Sequence, residues 1–238
     1  LIVDDTDYPK AGRRIENIGR VYSHVHHKCI LGLKALFLAV TDGTSQMILD
    51  FAILGEKGKK GNYGMSHREL QQRFTKERDK DSALQERLNE YYQKKTDLMI
   101  SMIRRAIRKN IRFRYVLADS WFACKDIIRF IRSRHIKCDY LGMIKVGENG
   151  KTKYGFERKD FTAPALIKLL TQRKQKKYSR KLRCYYITVD VVFADTSVRL
   201  FFVRRSKNGA WNGLMTTNAK LEFFEAYKIY SQRSEEHT

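Results

Sequence analysis

Two short apolar, β-prone runs each stop at an aspartate, and this repeated pattern constrains the chain more than any other feature. Leu1-Ile2-Val3 gives way to Asp4 and Asp5, and the alternating stretch Ile111 to Leu117 runs straight into Asp119. Buried strands of mixed sheets read as apolar runs, and such sheets place their chemistry at the C-terminal ends of strands. Between the two aspartates, Ile30 to Val40 and Gln46 to Leu54 are apolar runs around Thr41-Asp42-Gly43-Thr44, which predicts a β-hairpin. Ser66 and Glu69 have capping-box spacing and predict a helix start. From Ala83, residues Leu84, Leu88, Tyr91, Leu98, Met102 and Ala106 recur at helical spacing, which predicts one long helix stopped by Asn110. Gly12 to Arg20 reads as a polar connection. Cys124 to Arg134 reads as a helix and Tyr140 to Val146 as a strand.

Beyond Gly147 the character changes. Lys151 to Phe156, Tyr185 to Phe193 and Val198 to Arg205 read as antiparallel strands, so a β-rich insertion is expected. Leu221, Phe224, Tyr227 and the Ile229-Tyr230 pair then begin a final helix that is expected to be still running at the last residue. The chain divides on this reading into a core over 1–146, an insertion over 147–214 and the start of a last core helix over 215–238. The fold class is α/β, a mixed sheet flanked by helices, with the β-rich insertion before the final helix.

The 238 residues, 42% of them hydrophobic, suffice for a sizeable core. Lysine and arginine number 48 against 26 acidic residues, a net charge of +22 spread over the whole length, which points to a polyanionic partner. No apolar run reaches the roughly 18 residues of a spanning helix, and Ile30 to Val40, interrupted by Lys34, reads as a buried strand. Cys29, Cys124, Cys138 and Cys184 form no C-x-x-C pair, which argues against a zinc ribbon or redox motif and for reduced thiols. With no signal peptide visible, the expected location is the cytoplasm or the nucleoid. The first residue is Leu1 and already strand-like, so the native N-terminus is expected to lie upstream.

Carboxylates with little sulfur or imidazole nearby suit a hard cation, so Mg²⁺ or Mn²⁺ is expected if Asp4 and Asp119 are ligands. Paired carboxylates can hold two such ions about 3.5 to 4 Å apart, one activating the attacking water or hydroxyl and one stabilising the leaving oxygen of a phosphodiester. Spacing alone leaves open whether the two are ligands or ordinary strand-end residues, where aspartate is common.

At Asp4-Asp5-Thr6, followed by Pro9-Lys10-Ala11-Gly12, the sequence resembles the first catalytic motif of the DDE transposases of bacterial insertion sequences. At Tyr115-Val116-Leu117-Ala118-Asp119-Ser120-Trp121-Phe122 it resembles their second. The resemblance implies an RNase H-like fold with a β-rich insertion before the last carboxylate. It implies Asp4 and Asp119 as catalytic metal ligands, with Asp5 the fallback for the first. The third motif of this group runs Tyr-x2-Arg-x3-Glu-x6-Lys. Tyr230 and Arg233 take its first two places, His237 stands where the glutamate belongs, and the lysine would fall past Thr238. Glu235 and Glu236 would point roughly 200° and 100° away from the required direction at about 3.6 residues per turn. The closing run from Arg233 to Thr238 also reads like a translated sequencing adapter, so a truncated gene is expected and Ser234 to Thr238 are expected to have no biological role.

Arg173, Lys174, Lys176, Lys177, Arg180, Lys181 and Arg183 form a dense basic run that reads either as a phosphate-contacting surface or as a solvated loop. Lys57, Lys59 and Lys60 are a weaker version. By the resemblance, Tyr230 and Arg233 hold a DNA phosphate near the active site. Trp121 and Trp211 read first as core residues and second as platforms for an extruded base. His24, His26 and His27 have no carboxylate or cysteine at ligand spacing and read as a polar strand flank instead of a transition-metal site.

The resemblance thus implies a polynucleotidyl transferase: water cuts a phosphodiester at a transposon end, and the freed 3′ hydroxyl attacks target DNA. Its cofactor is Mg²⁺ or Mn²⁺, two ions. Its partner is double-stranded DNA, at both transposon ends and target, with a homodimer on the DNA and no membrane. Lacking the third carboxylate, the chain is expected to bind DNA and catalyse poorly. A non-catalytic DNA-binding protein derived from a transposase and an RNase H-like nuclease are the alternatives.

Overall fold

The computed structural model describes residues 1–12, 14–23, 25–56, 64–71, 74–147 and 150–233. Two units divide the chain: one takes residues 3–40 and 47–111, the other residues 1–2, 41–46 and those from Arg112 onward.

The unit of residues 3–40 and 47–111 is built on β1 (Ile2–Pro9), β2 (Gly19–Ser23), β3 (Lys28–Thr41) and β4 (Gln46–Leu54). β3 takes the middle, with β2 antiparallel to it, β1 beside it and β4 also paired to it. Ala35, Leu36 and Leu38 of β3 are buried, as the apolar run requires. Lys34, which interrupts that run, is buried too, and its charge is met by ion pairs to Glu56 and Asp5. β2 begins at the end of the stretch read as a polar connection, sharing Gly19 and Arg20 with it, and was not foreseen. The hairpin β3–β4 forms where expected, and Asp42 Oδ1 shapes its tip by accepting from Thr44 N and Ser45 N, both at 2.8 Å.

The helices of this unit are α1 (His67–Gln71), α2 (Ala83–Asn89) and α3 (Lys95–Arg108), with a 3-10 turn at Glu90–Tyr92. Ser66 and Glu69 make the reciprocal capping box read from sequence: Ser66 N donates to Glu69 Oε2 at 2.8 Å and Glu69 N to Ser66 Oγ at 3.2 Å. The single long helix expected from Ala83 onward is instead broken, because Gln93 and Lys94 are extended. Tertiary contacts outweigh helical periodicity there. Tyr91 is buried and its carbonyl accepts Gly55 N at 3.1 Å, while buried Glu90 takes ion pairs from Arg87 and Arg105. Asn110 does stop α3: it adopts φ 57°, and Ile111 N reaches back to Ala106 O at 3.0 Å, the hydrogen bond of a left-handed helix cap.

The other unit contains β5 (Tyr115–Ala118), α4 (Lys125–Ile131), β6 (Asp139–Ile144), β7 (Lys153–Phe156), β8 (Lys159–Thr162), α5 (Ala163–Gln172), β9 (Lys177–Ser179), β10 (Cys184–Phe193), β11 (Thr196–Arg204), β12 (Asn212–Thr216) and α6 (Phe223–Ser231). Strand order is β5-β6-β12-β11-β10-β7-β8, with β9 on β10. β5 and β6 are parallel and the remaining pairs antiparallel, so the sheet is mixed, as the sequence led us to expect. Leu1 belongs to this unit: its amine donates to Tyr115 O at 2.6 Å and its carbonyl accepts Leu117 N at 2.8 Å.

The residues read as a β-rich insertion also hold α5, which the sequence reading did not name. Ala163, Leu166, Ile167 and Leu170 are its buried side chains, at helical spacing, with Pro164 in the first turn. The last helix, α6, does not run on: it ends at Ser231 with Gln232 as its cap.

Candidate functional site

β5 is buried at all four positions and delivers Asp119 immediately after its last residue. Asp119 Oδ1 accepts Trp121 N at 2.9 Å and its backbone oxygen accepts Phe122 N at 3.2 Å, a turn that fixes the carboxylate at the strand exit. Among the described residues Asp119 Oδ2 accepts no hydrogen bond, so it has lone pairs to offer a ligand.

Helix α6 brings two more of the expected residues to this strand end. Tyr230 Oη donates to Ala118 O at 3.4 Å, and Arg233 Nη1 donates to Tyr230 Oη at 2.9 Å. The spacing of Tyr230 and Arg233, three apart, puts both on one side of the helix end. The structure therefore brings Asp119, Tyr230 and Arg233 together. Tyr140 of β6, which the sequence reading passed over, completes the group: burial, then Tyr230, Asp119 and Cys124, push its phenol well above the ordinary value, and Arg233 works in the opposite direction.

Asp4 lies in the other unit, and its strand is not what the sequence suggested. β1 continues to Pro9, so Asp4 is a mid-strand residue and not a strand-end one. Alternation along β1 exposes Asp4, Thr6 and Tyr8 and turns Asp5 and Asp7 the other way. Asp5, the fallback ligand, is ion-paired to Lys95 and Lys34. Of the two, Asp4 is the more exposed. Asp4 Oδ1 accepts Asp5 N at 3.0 Å.

The basic run is mostly loop, with only Lys177 of its seven cations in a strand. It begins at the cap of α5 and forms the hairpin β9–β10, in which Lys177 pairs with Tyr186 and Tyr178 with Tyr185. Lys174, Lys177, Arg180, Lys181 and Arg183 are exposed, whereas Arg173 is ion-paired to Glu157. Lys176 sits 5.1 Å from the Tyr185 ring centre and Lys181 4.0 Å from that of Phe224. Beside α6 lies a pocket of about 360 Å³ whose wall includes Arg204, Arg205, Arg233 and Tyr230, and among the described residues no acidic side chain lines it. Arg204 was missed in the sequence; the Arg204-Arg205 pair closing an apolar strand was the signal.

Trp121 is 48% exposed, with its ring edge-on to Phe122, so the core reading is wrong for this residue. Trp211 is half-buried under the Arg204 guanidinium, 4.6 Å from the ring centre. His26 and His27 occupy the exposed turn between β2 and β3. His24, Lys57, Lys59, Lys60, Glu235, Glu236 and His237 lie outside the described residues.

Oxygen donors of this kind suit Mg²⁺ or Mn²⁺. Among the described residues no group of three or more His, Cys, Asp and Glu side chains is arranged to hold a metal. The oxygen chemistry of Asp119 fits a hard cation, but on its own it supplies only one carboxylate. Nor is any helix of the described residues long and apolar enough to cross a membrane.

The family model described as DDE superfamily endonuclease matches residues 1–138. No curated protein sequence matches the chain. Among solved structures, the cryo-EM structure of the piggyBac transposase synaptic complex with hairpin DNA aligns over 98% of this chain at 9% identity and a TM-score of 0.46. The chain spans 37% of that transposase. The NurA nuclease from Sulfolobus solfataricus aligns over 97% of this chain and 71% of its own, at 12% identity and a TM-score of 0.35. The family match takes in both aspartate motifs and more than half of the residues: the chain belongs to the DDE superfamily endonucleases.

Proposed function

We propose that the chain is part of the catalytic domain of a DNA transposase of the insertion-sequence type, with an RNase H-like core over 1–146, an insertion over 147–214 and the last core helix from 215. The observation that carries this reading is the meeting of Tyr230 and Arg233 with the exit of β5, one residue before Asp119. Three residues read from two separate motifs then serve one site.

Asp4 and Asp119 are the metal ligands in this proposal. Their places in the two aspartate motifs, both inside the matched family region, support this assignment. When bound, Mg²⁺ or Mn²⁺ supplies a polarised attacking oxygen and charge stabilisation for the leaving one. The chain's own part is to orient and bind: Arg233 and Tyr230 hold a phosphate of the DNA end, and the exposed cations of the β9–β10 hairpin follow the backbone of the duplex. With His237 at the glutamate position of the third motif, the set is one carboxylate short and catalysis is weak. The partner is double-stranded DNA at transposon ends and target, bound by a homodimer at the nucleoid.

Calorimetric titration with Mn²⁺ tests the reading on the native chain and on Asp4→Asn and Asp119→Asn variants, alongside Mn²⁺-dependent nicking and joining of DNA by a His237→Glu variant. Both asparagine variants should lose Mn²⁺ affinity. Equal affinity in all three chains sinks the metal assignment and leaves a DNA-binding protein, and cutting without joining identifies a simple nuclease.

A further inference from the structure

Tyr140 is costly where it stands. Ring and hydroxyl are wholly buried, and among the described residues Oη has no hydrogen-bond partner. A phenylalanine would fill the same space without an unsatisfied polar group. The surrounding structure nevertheless holds this side chain in one place. Tyr140 N donates to Thr217 Oγ1 at 2.9 Å, Tyr140 O accepts Thr217 N at 3.1 Å, and Thr217 Oγ1 donates in turn to Asp139 at 2.8 Å. Two residues along β6, on the same face, Gly142 leaves the space that the hydroxyl occupies: a Cβ there would lie 2.3 Å from Tyr140 Oη and 2.8 Å from Ala118 O. Gly142 is the ladder partner of Ala118, so the phenol lies over the last rung of β5–β6, one residue before Asp119.

The charged and titratable groups around Oη are Tyr230, Asp119, Cys124 and Arg233. Of these the Asp119 carboxylate alone is an anionic acceptor, and one of its oxygens is already turned toward Trp121 N. We infer that Tyr140 is a positioning residue for Asp119: its hydroxyl donates to that carboxylate when a divalent cation draws it into place, fixing which oxygen faces the ion. A carboxylate that binds a metal is steadied by such outer hydrogen bonds. The inference rests on the metal-binding reading proposed above and adds to it a residue that touches neither ion nor DNA.

The test compares Mn²⁺ dissociation constants and melting temperatures of the native chain and of Tyr140→Phe, Asp119→Asn and the double variant. Tyr140→Phe should melt at or above the native temperature and bind Mn²⁺ about tenfold or more weakly, and it should change nothing further once Asp119 is asparagine. Native Mn²⁺ affinity in Tyr140→Phe, with affinity lost in Asp119→Asn, overturns the inference and leaves the metal site standing. A Tyr140→Phe chain that melts well below native overturns it as well, since the hydroxyl would then be supporting the fold. Asp119→Asn with native affinity removes the metal reading and the inference together.

Discussion

Glu16 and Arg78 form a bidentate pair, Nη1 to Oε1 and Nη2 to Oε2 both at 2.5 Å, and Lys76 N adds a third hydrogen bond at 2.8 Å. The Arg78 guanidinium, above all, holds the Glu16 carboxyl below the usual range. A lowered folded-state value means that the pair stabilises the fold above the ordinary glutamate value and stops doing so as the pH falls through the lowered one. Replacing Arg78 by methionine should therefore remove part of the stability lost on acidification below about pH 4, a difference seen in urea unfolding at stepped pH. A second residue-level prediction concerns Gly142→Ala, which drives a Cβ against Tyr140 Oη and the Ala118 carbonyl. It should destabilise the fold by about 1–3 kcal/mol in the same assay. Asp119 was readable from sequence because a short apolar run stops at it. Tyr140 was not, since its meaning comes from the space above a glycine two positions on and from helix α6, some ninety residues away by sequence.

At the level of elements, α2 and α3 were read as one helix because their apolar spacing is nearly continuous. What divides them is a set of charges at distant positions: Asp50 of β4 and Glu90 of the 3-10 turn face Arg87 and Arg105. No window on the sequence contains all four. Glu90 has 5% of its side chain exposed, so its loss would strand two arginines; Glu90→Ala should cost about 3 kcal/mol, toward the low end for a buried pair because the arginines are partly solvated. The stop at Asn110 was legible because few residues tolerate the left-handed conformation it adopts. Asn110→Ala should cost about 1 kcal/mol and Asn110→Gly almost nothing, as thermal denaturation of the two variants can show. Helix α5 had a readable pattern but sat among strands, and the β-rich surroundings masked it.

Across the whole molecule, the DNA binding proposed for a chain of net charge +22 should be salt-dependent, and the exposed cations at the β9–β10 hairpin are the ones to vary. A Lys177→Ala, Arg180→Ala double variant should reduce the slope of log affinity against log salt by about 2, one for each phosphate that is no longer neutralised, in fluorescence anisotropy titrations. Arg173→Ala should leave the slope nearly unchanged, because Glu157 already balances that charge. Charge and class of fold were evident from composition and periodicity; the division into units was not, because one of them gathers residues 1–2, 41–46 and everything from Arg112 onward. At its far reach the side chain of Gln46 donates to Gln232 O, across 186 positions of chain. A ribosome making this protein therefore releases the first pieces of that unit long before their partners exist. The early segments must wait, unpaired and open to chaperones, until the final helix emerges, so folding of this unit should be slow and late compared with that of its neighbour.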